Sequence, residues 1–227
     1  MFSDTLIAWY LDHARPLPWR ATTDPYRIWL SEVILQQTRV DQGRAYYERF
    51  LEQYPTVQDL AAASEEQVLK TWQGLGYYSR ARNLHKAARH IAGPLAGQFP
   101  TTLSGLRALP GVGPYTAAAI ASFAFRLPHP VIDGNVYRFV ARHFGLATPV
   151  PSPAAYREFE ALLLKYIDPQ RPHLFNQALI EIGALLCTPQ SSRCSECPFV
   201  PGCHACRDSP QGLLPANAPR RNPQERW

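Results

Sequence analysis

Apolar side chains recur every three to four positions along most of the chain, the spacing of a helix with one buried face. Leu6, Ile7, Tyr10 and Leu11 share such a face from Ser3 to His13, with Ser3 a candidate N-cap and Pro16 and Pro18 as the stop. Tyr26 to Arg39 carries a broad apolar side of Ile28, Leu30, Val33, Ile34 and Leu35, and Gln42 to Tyr54 one of Tyr46, Tyr47, Phe50 and Leu51. Short helices are predicted over Thr56–Ala63, Ser64–Trp72, Ser79–Ala92 and Thr102–Ala108, separated by Pro55, Gly74–Gly76 and Pro94–Pro100. Tyr115–Arg126 is Ala-rich and suited to close packing; Gly134–Phe144, Pro153–Ile167 and Leu174–Cys187 complete the set. No segment alternates as a half-buried strand would, so the predicted class is all-α.

Composition narrows the setting. Of 227 residues 46% are hydrophobic and 18% charged, which excludes disorder of the whole chain. The 22 prolines fit many short helices with sharp stops. The apolar run around Ala117–Phe125 is about half the ~20 residues a membrane span needs. The N-terminus lacks a basic n-region, so no membrane association is expected and the expected location is the cytoplasm. A net charge of +5 suits nucleic acid without proving it. Residues 204–227, with four prolines beyond Arg207, read as a flexible tail.

Four stretches carry chemistry. All five cysteines lie between positions 187 and 206, which argues for a metal site over a disulfide framework. Cys187-x6-Cys194-x2-Cys197-x5-Cys203 offers four thiolates; its loose spacing suits a [4Fe–4S] cluster better than zinc, and Cys206 reads as a bystander. Leu109-Pro-Gly-Val-Gly-Pro-Tyr-Thr-Ala117, behind a short helix, reads as a helix-hairpin-helix. Its Gly111, Val112, Gly113 and Tyr115 amides would face a phosphate at a helix start. Glu32 sits inside an otherwise apolar helix. It is either a surface residue or a buried carboxyl with a raised pKa, fit for general acid work near neutral pH. Asp133 precedes a helix, which alone would make it an N-cap; paired with Glu32 it supplies the second carboxylate that glycosidic cleavage requires.

These residues resemble the MutY-type adenine DNA glycosylases, of the helix-hairpin-helix superfamily that also holds endonuclease III. The matching stretches are LPWR (17–20), DPYRIWLSEVILQQTRV (24–40), GLGYYSRARNLHKAA (74–88), LPGVGPYTAAAI (109–120), IDGNVYR (132–138), FNQALIEIGALLC (175–187) and the four-cysteine signature. The resemblance implies a six-helix barrel lobe over 21–129 and a cluster lobe from 1–20 and 130–203, with double-stranded DNA between them and a mispaired adenine extruded from the stack. It implies that Glu32 protonates the departing adenine and that Asp133 stabilises the oxocarbenium ion, oriented by Tyr115 and Asn135. Arg15, Leu17, Trp19, Arg20, Val40, Gln177 and Ile180 would line the adenine pocket. Gln37, Thr38, Leu75 and Tyr77 would lie beside the opposite base, Tyr77 as a wedge. Tyr115 stands where strand-cleaving relatives carry a lysine, so little lyase activity is expected. The thymine–guanine mismatch glycosylases of the superfamily lack the glutamate, which argues against T or U as the target. Typical members continue into a second domain that reads 8-oxoguanine, and the stretch after Cys203 is too short for one. A monomer at the bacterial nucleoid is expected.

Overall fold

The computed structural model describes residues 1–208 and 213–218. Among these the chain is helical, with no strand and one isolated bridge, Val150–Asn217. It divides into two compact units, Arg15–His129 and Met1–Ala14 with the residues from Pro130 on.

The Arg15–His129 unit begins earlier than the expected boundary at 21, because Trp19, in a 3₁₀ turn at Pro18–Arg20, is buried edge-on against Tyr47 at 5.4 Å. Helix α2 (Pro25–Ile34) starts on an Asp24 carboxylate that accepts the Tyr26 N–H at 2.8 Å, with Pro25 pre-set for the first turn. It stops at Ile34, five residues short of the predicted Arg39, where the chain turns through Gln37 at φ 58°. Helices α3 (Val40–Gln53), α4 (Val57–Ala62) and α5 (Glu65–Trp72) follow, with Thr56 and Ser64 closing capping boxes on the last two. Helices α6 (Ser79–Ala92), α7 (Leu103–Arg107) and α8 (Pro114–Phe123) complete the unit. Every residue of α8 from Thr116 to Phe123 is buried, which its small side chains permit; α2 and α7 lie against it. It ends at Phe123, short of the predicted Arg126.

In the other unit α11 (Pro172–Leu185) lies against α1 (Phe2–His13) and α9 (Gly134–Phe144), beside α10 (Pro153–Leu163). Leu6, Ile7, Phe139, Val140, Phe159, Phe175, Leu179 and Ile182 form their shared core. Ser3 does not cap α1: Met1 holds that position, and the buried Ser3 Oγ has no partner. The flexible tail expected over 204–227 is in part ordered. His204–Arg207 forms α12, and 213–218 lies along Val150 through Val150 N–H to Ala216 O (2.8 Å) and Ala218 N–H to Val150 O (2.9 Å), with Leu214 buried. The reason is local: Arg142 donates to the Leu214 carbonyl at 2.9 Å, an anchor composition cannot reveal. The rest of that stretch lies outside the described residues. Among the described residues no helix is long and apolar enough to cross a membrane.

Candidate active site

Glu32 lies on α2 and is only 8% exposed, among Trp29, Leu30 and Val33. Its carboxyl is therefore not on the solvent face of an amphipathic helix, the plainer of the two sequence readings. The end of α2 is tied to α8 where Gln36 Nε2 donates to Thr116 Oγ1 at 3.2 Å. Tyr115 sits half-buried in the first turn of α8.

Asp133 caps α9. One carboxylate oxygen accepts the Val136 N–H and the other the Asn135 side-chain amide, both at 2.8 Å. Asn135 is itself held: Arg138 donates to Asn135 Oδ1 at 2.8 Å and, from the same nitrogen, to the Gly183 carbonyl at 2.7 Å. The Arg138 Nε donates to the Cys187 carbonyl at 2.5 Å. Burial raises the Asp133 carboxyl above the usual carboxylate range; the Val136 N–H, the Asn135 contacts and the Arg138 charge oppose it. A half-buried carboxylate with two fixed donors faces a cation without reorganising.

In the same unit the Tyr10 hydroxyl donates to Gln177 Oε1 at 2.7 Å, fixing the Gln177 amide with its NH₂ turned elsewhere. Ile180, one helical turn on, is half-buried. In the Arg15–His129 unit, Arg15, Leu17, Arg20 and Val40 are half-buried and Trp19 buried, and Arg20 donates to the Arg15 carbonyl at 3.3 Å.

The hairpin runs from α7 to α8. Gly111 holds φ +72°, and a Cβ there would lie 2.5 Å from Asn83 Cβ, so a side chain is excluded twice over. Gly113, by contrast, has φ −80° with open space around it; what its lack of side chain provides is access to the start of α8, which no side chain caps. Val112 is buried and anchors the turn. Gln37 (φ 58°) and Tyr77 (φ 47°) both hold left-handed backbone, and both side chains are exposed, Tyr77 by 66%; Thr38 is half-buried and Leu75 buried.

The cysteines line one pocket with Phe139, Arg142, Leu186 and Phe199. Cys206 lines it too, hydrogen-bonded to Cys194 and Cys203. Cys206 thus lies beside the four expected ligands, exposed where they are half-buried. Buried Arg142 braces the loop, donating to Thr188 O and Ser192 Oγ at 2.8 Å and to Cys187 Sγ at 3.5 Å. Burial, with the other cysteines nearby, pushes the Cys197 thiol up to about 11. Soft donors crowded around one pocket suit iron–sulfur ligation, which would take their protons off. Among the described residues no three His, Cys, Asp or Glu converge on a point for a single metal ion.

Tyr10, Arg80, Arg138 and Arg142 escaped the sequence reading. Tyr10 read only as part of an apolar face and the arginines as polar helix positions, and the partners that give them a role are mostly far along the chain and leave no periodic signal.

A helical unit holding a glycine hairpin, and a second holding a capped aspartate beside a cysteine pocket, define a base excision repair fold. The chain belongs to the HhH-GPD superfamily of base excision DNA repair proteins, whose profile matches residues 30–169. It is 43% identical to the adenine DNA glycosylases of Mus musculus and Homo sapiens, over 95% and 90% of this chain but 44% and 39% of theirs. It is 37% identical to that of Buchnera aphidicola subsp. Baizongia pistaciae, over 89% of this chain and 58% of that one. The chain thus spans about half the length of the curated relatives it matches. Among solved structures it is similar to a thermostable thymine-DNA glycosylase (TM-score 0.83, 26% identity, 90% and 94% of the two chains). It is also similar to endonuclease III trapped on DNA as a covalent intermediate (TM-score 0.74, 26% identity, 88% and 92%).

Proposed function

We propose that this chain is a monofunctional glycosylase that removes adenine mispaired with 8-oxoguanine or guanine in double-stranded DNA. The observation that carries the reading is Glu32, a buried carboxyl on an apolar helix in a chain 43% identical to adenine DNA glycosylases. The thymine glycosylase likeness, at 26% identity, supports the fold more than the target.

In this reading the Glu32 carboxyl donates its proton to N7 of the extruded adenine, the C1′–N9 bond breaks with its electron pair leaving on the base, and positive charge develops on the sugar. The Asp133 carboxylate, held by Asn135 and Val136, stabilises that charge until water adds at C1′. Tyr115 assists Asp133. Gln177, its amide set by Tyr10, reads an adenine edge by donor and acceptor together, and Arg15, Leu17, Trp19, Arg20, Val40 and Ile180 are proposed to contact the same base. Tyr77 fills the stack and the start of α8 holds a phosphate. Cys187, Cys194, Cys197 and Cys203 would hold a [4Fe–4S] cluster, which would tie four points of this stretch together; no step above needs it.

Single-turnover excision on duplexes with A opposite 8-oxoguanine, A opposite G, T opposite G and U opposite G tests this. Adenine release that needs alkali for strand breakage is expected. Release of T or U alone overturns the reading.

A further inference from the structure

Both terminal nitrogens of the Arg80 guanidinium bond to backbone, while its buried Nε has no hydrogen-bond partner among the described residues. One terminal nitrogen donates to the carbonyls of Val33 and Ile34, both at 3.1 Å, and of Gln36; the other donates to Leu75 O at 3.2 Å and Gly76 O at 3.5 Å. The first group comprises carbonyls at the end of α2 that no helical N–H can reach. The second belongs to the turn that carries Tyr77. The faces of the guanidinium lie near the Trp72 ring at 5.0 Å and the Tyr77 ring at 5.8 Å. Trp72 Nε1 adds a bond to the same Gly76 carbonyl at 2.9 Å. Both turns hold non-glycine residues in left-handed backbone, Gln37 and Tyr77, a conformation that persists only when surroundings impose it. Arg80 is the shared surrounding. A planar five-donor fork can serve two sets of carbonyls at once, whereas a lysine ammonium cannot span them.

We infer that Arg80 is a positioning residue that locks the Gln36–Thr38 turn to the Gly74–Tyr77 turn, so that the Tyr77 wedge and the Gln37–Thr38 edge meet the DNA stack as one rigid element. The inference rests on the glycosylase reading above. Arg80 touches no reacting atom; its effect falls on opening the stack rather than on breaking the bond. One residue three positions on, Asn83, backs Gly111, so this stretch of α6 sets the hairpin turn as well.

The test is a duplex with adenine opposite 8-oxoguanine and 2-aminopurine as its neighbour, whose fluorescence rises when the stack opens. Arg80→Lys should lower both the fluorescence rise and the single-turnover excision rate by about tenfold, the worth of one aromatic stacking contact, measured at a temperature where the variant stays folded. The rate deficit should shrink when the flanking pairs are mismatched, because the stack is then already weak. Glu32→Gln should do the opposite: full fluorescence rise, no excision. In the unaltered chain, amide hydrogen exchange at residues 35–38 and 74–77 should report one common opening, a readout that needs no variant to fold. Arg80→Lys matching the unaltered chain in fluorescence and rate, or the two turns exchanging independently, overturns the Arg80 assignment alone. No fluorescence rise and no excision with the unaltered chain overturns the glycosylase reading and this inference with it.

Discussion

At Gly183, α11 comes close to the backbone of α9. A Cβ added there would lie 2.6 Å from the Asn135 carbonyl oxygen, 2.8 Å from Asn135 Cβ and 2.9 Å from its carbonyl carbon. These are largely backbone atoms of α9, so no flexible side-chain end can swing away. To reach ordinary contact at 3.4 Å, α9 and α11 must part by about 0.8 Å. That displacement acts on Asn135, whose amide holds one oxygen of Asp133, and on the Gly183 carbonyl that anchors Arg138. Overpacking of this kind costs about 1–3 kcal/mol of stability. A misplacement near 1 Å in a catalytic arrangement costs roughly a hundredfold in rate. Gly183→Ala should therefore lower the denaturant midpoint and slow single-turnover adenine excision by more than the stability loss explains at a temperature where the chain stays folded. Gly134→Ala is the control for stability: a Cβ there has no atom within 4 Å, and its melting should be nearly unchanged. A Gly183→Ala chain with parental stability and parental rate refutes the close approach as the device that sets Asp133.

Three further outcomes follow from the site. Asp133 must be ionised to stabilise a cation, and burial has raised its pKa, so excision should fall as pH drops through that raised value; Asn135→Ala removes a donor that favours the anion and should move the acid limb of the pH–rate profile to higher pH, and an unmoved limb argues against the pairing. Glu32→Gln keeps the shape of the side chain but cannot donate an acid proton, so excision should fall by about a hundredfold or more while duplex binding persists in a gel-shift assay. Arg142→Ala leaves the Pro189 and Leu214 carbonyls without their donor and the Thr188 carbonyl with Ser192 Oγ alone, and should destabilise the chain by about 3 kcal/mol, with a fall in iron and acid-labile sulfide content measured on the same preparation.

Much of the fold was readable because helix faces announce themselves. The Ser79–Ala92 and Gly134–Phe144 helices have the predicted bounds, since strong amphipathic spacing meets a clear stop. The misses share another cause. Tyr26–Arg39 carries its apolar residues only as far as Leu35, and α2 stops at Ile34, where Arg80, forty-odd residues away, takes the carbonyls of the turn. The same blindness hid Arg138, Arg142 and Tyr10.

By itself the sequence determined the helical class, the glycine hairpin at Gly111–Gly113 and the clustering of the cysteines, because each depends on residue type at short spacing; Glu32 and Asp133 stood out only through the family resemblance, since spacing alone left each a plainer reading. The tertiary structure alone decided that Glu32 is buried, that Asp133 is raised by burial and held through Asn135 and Arg138, and that Arg80 joins two turns. Those properties depend on desolvation and on hydrogen bonds between residues up to about fifty positions apart, and neither is encoded in any local pattern.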